Sequence, residues 1–482
     1  MIEKREFYID GQWRAPDAAR DCEVIDPSTE EPCAVISLGG QADTDAAVAA
    51  ALRAGPGWRA TPPAERRAVV ERILEQYEAR KEDLAQAISL EMGAPIDLAR
   101  KSQAAALKGH TRNFLRAFDQ LEWLRPLGDH APDTMISLEP IGVVGLITPW
   151  NWPMNQVSLK VIPALLAGCT IVLKPSEEAP LSSIVFAEML DAAGVPAGVF
   201  NLVNGDGAGV GTQLSTHEDV QMISFTGSTR AGRAISKAAA ETLKRVTLEL
   251  GGKGANLVFA DAGEEAVKRG VQHCMQNTGQ SCNAPTRMLV ERGFYDEAVE
   301  IAARTAQETA VGPASQEGRH IGPLVNRTQW EKVQALIETG ISEGARLVAG
   351  GPGLPEGVNR GFFVRPTVFA DVSRDMTIAK EEIFGPVLSI MPFEDEAEAI
   401  EIANDTPYGL TNYVQSADPA RRNRLALALR SGMVEMNGRP RGAGAPFGGV
   451  GQSGRAREGG IWGIEEFLEV KAISGWGLDA AE

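Results

Sequence analysis

The hydrophobic pattern changes rhythm along the chain. Up to about residue 40, short apolar runs alternate with turn residues. FYIDGQW places an Asp-Gly pair between two such runs, which predicts a β-hairpin. Gln41 to Ala117 is rich in Ala, Leu, Glu and Arg, with Val69, Ile73 and Tyr77 at helical spacing, and reads as largely helical. Between Leu121 and Pro140 that pattern lapses. LEWLRPLGDHAPDTMISLEP carries prolines and alternation, and reads as a projecting hairpin.

From Ile141 a third rhythm begins. IGVVGLIT, CTIVLK, VFNLV and QMISFT are apolar runs of strand length. Between and after them, VSLKVIPALLA, LSSIVFAEMLDAAG and RAGRAISKAAAETL have helical spacing. This alternation predicts an α/β fold with a parallel sheet and helices on both faces. A second α/β segment follows Gly251, with strands at NLVF, TRMLVE and FVRPTVF and helices over Asp261–Gln276 and Tyr295–Val311. FLEVKAISGWGLDAAE reads as one late strand and a tail, a strand that has to pair with something distant or with another subunit.

Composition narrows the function classes. The 482 residues predict about three domains. With 44% apolar residues there is ample material for a core. The net charge of −17 argues against nucleic acid and anionic membranes as partners. The cysteines, Cys22, Cys33, Cys169, Cys274 and Cys282, are scattered and form no C-x-x-C pair. That excludes a disulfide framework or zinc cluster, so no metal is expected, and it fits a reducing, cytoplasmic compartment. The charged N-terminus is not a signal peptide, and the longest weakly polar run, Val161 to Leu173, contains Pro163 and is too short to span a bilayer.

Several residues carry possible chemistry, each with a bland alternative. Cys282 in NTGQSCNAPTR suits a nucleophile, which needs exposure and a lowered pKa; a lone free cysteine is more often a buried structural residue. His273, the nearest histidine upstream, reads as packed or solvated, which disfavours a Cys–His hydrolase. Glu249 in LELGGKGAN stands at a strand end beside glycines, where a general base or an ordinary surface carboxylate fits. Asn151 in TPWNWP is an amide donor for an oxyanion or a turn residue. Lys174 and Glu177 in LKPSEE follow a strand, where they suit the two hydroxyls of a ribose or a solvent ion pair. FTGSTRAG joins a strand to a helix, a context for phosphate, but it is neither the G-x-G-x-x-G turn nor a P-loop.

In combination and in order, PWNWP, LKPSE, FTGST, LELGGK, NTGQSC, EEIFGP and PFGG resemble the aldehyde dehydrogenase superfamily over essentially the whole chain. The resemblance implies a Rossmann-like cofactor domain (1–120 and 141–250), an α/β catalytic domain (251–466) and a small β oligomerisation unit (121–140 and 467–482). Relatives form dimers or tetramers in which the late strand extends a neighbour's sheet, so a homodimer or homotetramer is expected. It also implies a cycle. Cys282 attacks the aldehyde carbon as thiolate, and Asn151 with the Cys282 N–H receives the oxyanion. Hydride passes to the nicotinamide, and Glu249 activates the water that hydrolyses the thioester. Lys160 and Glu458 match positions that move protons around Glu249.

The cofactor contacts transfer in the same way. Lys174 and Glu177 match the adenosine-ribose clamp, Gly227 and Ser228 the pyrophosphate contact, and Ile147 and Trp150 the wall beside the cofactor. Glu382, with Phe384 behind it, matches the nicotinamide-ribose contact. Glu177 would repel a 2′-phosphate and points to NAD, although some relatives with this Glu also accept NADP.

By motif position Trp152, Gln156, Gln276, Ser281, Asn283, Arg441 and Phe447 approach the aldehyde. So polar a set, with Arg441 able to hold a carboxylate, points to an ω-carboxylated aldehyde such as a semialdehyde. NWPMNQ and SCNAPTRM are similar to a bacterial catabolic branch that oxidises oxo-acids. Equally, Arg439 and Arg441 fit solvated loop residues. Two rival readings are a CoA-acylating enzyme, whose relatives usually lack the Glu249 base, and a non-catalytic protein retaining the fold.

Overall fold

The computed structural model describes residues 1–477; residues 478–482, the end of the expected tail and oligomerisation unit, lie outside the described residues. The Asp-Gly hairpin forms as expected, pairing Phe7–Ile9 with Gln12–Arg14. Asp10 and Gly11 take φ of 56° and 73°, the left-handed turn that matches strand twist. These two strands extend an eight-stranded sheet. Its order is Gly454–Arg455, Arg245–Glu249, Met222–Thr226, Val143–Ile147, Thr170–Lys174, Phe200–Leu202, Phe7–Ile9, Gln12–Arg14. The five central strands are mutually parallel. Their side chains are buried almost throughout, as a sheet covered on both faces requires.

The helix Pro153–Ala167 is the most deeply enclosed. Every residue but Asn155 is buried, and Pro153 opens it at a position where a missing N–H costs nothing. The expected helical region resolves into Gln41–Ala60, Pro63–Met92 and Ala105–Phe118, with a short turn of helix and a π-helical stretch between the last two.

A second sheet of seven strands has the order Arg346–Ala349, Thr367–Ala370, Val387–Phe393, Arg287–Glu291, Ala255–Val258, Thr411–Gln415, Met433–Met436, parallel except at the first pair. Three expectations shorten here. FVRPTVF is a strand only from Thr367, because Pro366 has no N–H for the ladder. The helices span Glu264–Met275 and Tyr295–Gln307. The other strands of this sheet, Arg346–Ala349, Val387–Phe393, Thr411–Gln415 and Met433–Met436, had drawn no reading.

The hairpin of Leu124–Pro126 and Thr134–Pro140 pairs with Leu468–Ser474, which answers where the late strand goes within the chain. Residues 454–465 fall in the range expected for the catalytic domain. Yet Gly454–Arg455 joins the first sheet, and the helix Gly460–Glu465 packs on Ala105–Phe118 and Pro153–Ala167. Among the described residues no helix is long and apolar enough to cross a membrane.

Candidate active site

In the first sheet the chain runs outward from Val143–Ile147 in one direction and then returns to add Met222–Thr226 on the other side. Open α/β sheets leave a crevice at such a reversal, beyond the carboxyl ends of the strands. Pro149, Trp150 and Asn151 follow Ile147 into it. Gly227 and Ser228 follow Thr226 and open the helix Thr229–Ala240, where the Ser228 hydroxyl accepts from the Ala231 N–H at 3.2 Å. Glu249 ends the neighbouring strand, opposite Thr226. The second sheet presents the amino ends of its strands to the same crevice: the segment carrying Cys282 leads into Arg287–Glu291.

Cys282, Glu249 and Asn151 border one cavity of about 170 Å³. Its other walls include Trp150, Gly227, Ser228, Glu382 and Phe384. Gln329 and Lys332 also line it, and the sequence reading missed both. They lie on the helix Arg327–Ser342, which has no distinguishing motif; only tertiary packing brings it here. Lys332 Nζ donates to the Glu382 carbonyl at 2.8 Å.

The loop before Cys282 is locally strained. Asn277, Thr278 and Gly279 take φ of 52°, 59° and 72°, three left-handed residues in succession. A hydrogen-bonded knot holds them. Asn277 Nδ2 donates to the carbonyls of Asn151 (2.9 Å) and Gln280 (3.2 Å), and Gln103 Nε2 donates to Asn277 Oδ1 at 3.1 Å. Asn151 Nδ2 donates to the Gln280 carbonyl at 3.0 Å, so one of its two amide hydrogens is already used. Asn151 and Cys282 are thus tied into one rigid unit.

Cys282 corrects the expectation of a lowered pKa. Burial raises its thiol far above the usual range, and Glu382, Glu249 and Glu458 push it the same way. The resting group is a thiol that needs a base. Glu249 is buried, neither carboxyl oxygen has a partner among the described residues, and its pKa lies well above 4.5. Burial is the main cause, Glu458 adds to it, and Lys160 opposes it. Lys160 Nζ reaches Glu458 Oε1 at 2.5 Å and Ser224 Oγ at 3.1 Å.

The two glycines after Leu250 make room for a carboxylate. Gly252 N–H donates to Glu382 Oε1 at 2.9 Å, and a Cβ on Gly251 would lie 2.3 Å from Glu382 Oε2. Phe384, also left-handed at φ 62°, meets the Trp150 ring edge-on at 5.6 Å. Lys174 Nζ donates to Glu177 Oε2 at 3.2 Å and to the carbonyls of Pro175 and Gly205. Ile147 is buried in the core beside this wall.

The expected substrate set divides. Trp152 Nε1 donates to Ser281 Oγ at 2.7 Å, and the Asn283 carbonyl accepts from Tyr413. Phe447 exchanges backbone hydrogen bonds with Glu458 at 2.8 and 2.7 Å. Gln276 is exposed at the end of its helix, and Gln156 points into the interior. Asn155, which was not singled out, is the partly open residue of that turn. Arg441 lies over the Phe447 ring at 4.6 Å with its Nε 3.5 Å from Glu435 Oε1. It borders a separate outer cavity with Arg422 and Arg439, so the cation already has a carboxylate neighbour. His273 packs edge-on against Tyr413. Among the described residues no group of three or more His, Cys, Asp or Glu side chains is arranged to hold a metal.

The family model for the "Aldehyde dehydrogenase family" matches residues 13–473. A Pseudomonas protein called 3-succinoylsemialdehyde-pyridine dehydrogenase is 51% identical over 99% of both chains. The solved aldehyde dehydrogenase of Bartonella henselae is 60% identical with a TM-score of 0.98, covering 99% of this chain and 100% of that one. A cysteine-to-alanine variant of a Pseudomonas syringae aldehyde dehydrogenase, solved with NAD+ and octanal, is 48% identical with a TM-score of 0.96, covering 99% and 98%.

Proposed function

We propose, since this chain belongs to the aldehyde dehydrogenase family and is an aldehyde dehydrogenase, that it oxidises its aldehyde with NAD through a covalent adduct on Cys282. The observation that carries the reading is the unpartnered Glu249 carboxyl on the same cavity as the Cys282 thiol. The residues fit the cofactor. The start of Thr229–Ala240 offers N–H groups and a positive dipole to a pyrophosphate. Lys174 and Glu177 suit the adenosine ribose, and Glu382 with Phe384 the nicotinamide ribose. Ile147 and Trp150 form the wall, and the buried Thr226 hydroxyl on the cavity has no protein partner. Bound NAD supplies the hydride acceptor that makes the step an oxidation. Glu177 disfavours a 2′-phosphate, so NAD is preferred over NADP.

The chain's own groups do the rest. The Cys282 thiol loses its proton to a base, for which Glu249 has the raised affinity, and sulfur attacks the aldehyde carbon. The remaining Asn151 amide hydrogen and the Cys282 N–H receive the oxyanion. Glu249 hands the thiol proton onward through Lys160 and Glu458, and so returns to the carboxylate; it then takes a proton from the water that hydrolyses the thioester, and the same pair carries that proton away. A base in this place favours hydrolysis over transfer to CoA.

The substrate class we favour is a semialdehyde, a chain with a second oxidised function. The semialdehyde in the relative's name and the polar rim of Trp152, Ser281 and Asn283 support it. Ion pairing of Arg441 with Glu435 weakens the narrower ω-carboxylate version. Residues 1–120 with 141–250 act as cofactor domain, joined by 454–465, and the rest of 251–466 supplies the nucleophile. Leu468–Ser474, with Val470 70% exposed, is the surface of a homo-oligomer.

The test mixes protein, NAD or NADP and a panel of aldehydes, and follows reduced nicotinamide by absorbance. Formation with NAD is expected; no signal from any combination refutes the reading. Cys282→Ser is expected to abolish turnover while leaving NAD affinity, measured by calorimetry, unchanged.

A further inference from the structure

The mechanism leaves one largely enclosed imidazole unused. His110, on the helix Ala105–Phe118, has its Nε2 2.7 Å from Asn155 Oδ1 on the helix Pro153–Ala167. Asn155 lies three residues beyond Trp152, and Trp152 reaches Ser281 beside the nucleophile. On the other side, the loop before Phe447 crosses the same helix as His110. A Cβ on Gly444 would sit 3.8 Å from Asn113 Cβ, one turn after His110. The pair therefore stands between the Cys282 loop and the 441–447 loop, and neither residue borders the cavity lined by Trp150 and Phe384.

We propose that His110 and Asn155 form a neutral hydrogen-bonding pair that reads a second, uncharged carbonyl on the tail of the aldehyde. This deepens the semialdehyde reading and rests on it. The shared hydrogen bond uses one polar atom of each side chain. Among the described residues, His110 Nδ1 and the second amide atom of Asn155 have no other partner. If the ring donates to the amide oxygen, the free atoms are an amide N–H and a ring acceptor. If the amide donates to the ring, they are a ring N–H and an amide oxygen. Either way one N–H of the pair remains free, and that donor suits a ketone oxygen, which only accepts.

Charge favours the same class. Burial lowers the His110 pKa, the Arg441 cation acts in the same direction, and only Glu458 and the Asn155 bond oppose them. A neutral pair offers nothing to offset the desolvation of a carboxylate. Arg441, the cation that acts on His110, is engaged by Glu435.

The test compares kcat/KM for γ-oxohexanal, hexanal and succinic semialdehyde in the wild type and in Asn155→Leu, His110→Phe and His110→Gln. The wild type is expected to prefer γ-oxohexanal. Asn155→Leu and His110→Phe each cut its preference over hexanal about tenfold, the scale of a lost neutral hydrogen bond, through KM rather than kcat. His110→Gln, which keeps a hydrogen-bonding amide, restores most of it. Three results overturn the proposal while leaving aldehyde oxidation intact: an unchanged preference in both apolar variants, equal losses on both aldehydes, or a wild-type preference for succinic semialdehyde. Absence of reduced nicotinamide with every aldehyde overturns the oxidation reading itself, and this inference with it.

Discussion

Lys160 Nζ and Glu458 Oε1 meet at 2.5 Å inside the protein, joining segments 298 residues apart. Both side chains also act on Glu249, in opposite senses: Lys160 lowers its pKa and Glu458 raises it. A buried pair of this kind is costly to break, about 3–5 kcal/mol when one partner is removed.

The two single variants should therefore move the acid limb of the kcat–pH profile in opposite directions. Lys160→Met removes a cation that favours the Glu249 carboxylate, so the limb moves to higher pH. Glu458→Gln removes a like charge, so the limb moves to lower pH. Shifts of about one unit are expected, each equivalent to about 1.4 kcal/mol. Profiles that move the same way in both variants would assign the pair a purely structural role.

Glu249→Gln removes the base and keeps the volume. Steady-state kcat should fall roughly 10²- to 10⁴-fold, the range of general-base catalysis. If hydride transfer is fast, stopped-flow absorbance shows a burst of reduced nicotinamide before slow turnover. In the wild type the base must be ionised, and its pKa is raised. Activity limited by deacylation should thus fall as pH drops through a value well above 4.5.

Gly279 is irreplaceable for two reasons. Its φ is 72°, and a Cβ there would sit 2.0 Å from the Gly385 carbonyl oxygen. Backbone cannot yield as a flexible side chain does. Gly279→Ala should lose at least about 2 kcal/mol by urea unfolding and displace the Cys282 loop, with a fall in kcat. Gly263→Ala, also left-handed at 69° but with open space around it, should lose less.

Lys253 is fully buried, and among the described residues its amine has no partner. Burial lowers its pKa to about 7, and the nearby Arg287 contributes. The unfolded chain, with a pKa near 10.5, then binds this proton more readily between pH 7 and 10. Stability from this group therefore falls as pH drops through that window, and levels off below about 7. Lys253→Met should flatten that fall. Thermal unfolding of both proteins at pH 7 and pH 10 tests it; an identical pH dependence would be evidence against an unpaired buried amine.

Much of the architecture was legible because it rests on local rules. The Asp10-Gly11 turn forms from residues that tolerate positive φ. The parallel strands from Val143 to Thr226 are continuous apolar runs, as sheets buried on both faces demand. The strand Thr367–Ala370 came out too long because Pro366 was read by hydrophobicity and not by its missing donor. Gln156 was selected by motif position, whereas Asn155 beside it is the more exposed of the two, because exposure along a helix depends on how the helix is rotated against its neighbours.

The sequence by itself determined the identities of the reacting groups and the strand ends and turns that carry them, because motif order and βα alternation are properties of the chain. Only the tertiary structure decided their chemical state. The Cys282 thiol is raised and not lowered, Glu249 is left without a partner, and Arg441 is taken up by Glu435. The physical reason is that pKa and charge availability depend on burial and on groups brought close from elsewhere. Lys160 and Glu458, 298 residues apart, act on one carboxyl because the first sheet takes in a strand from the end of the chain.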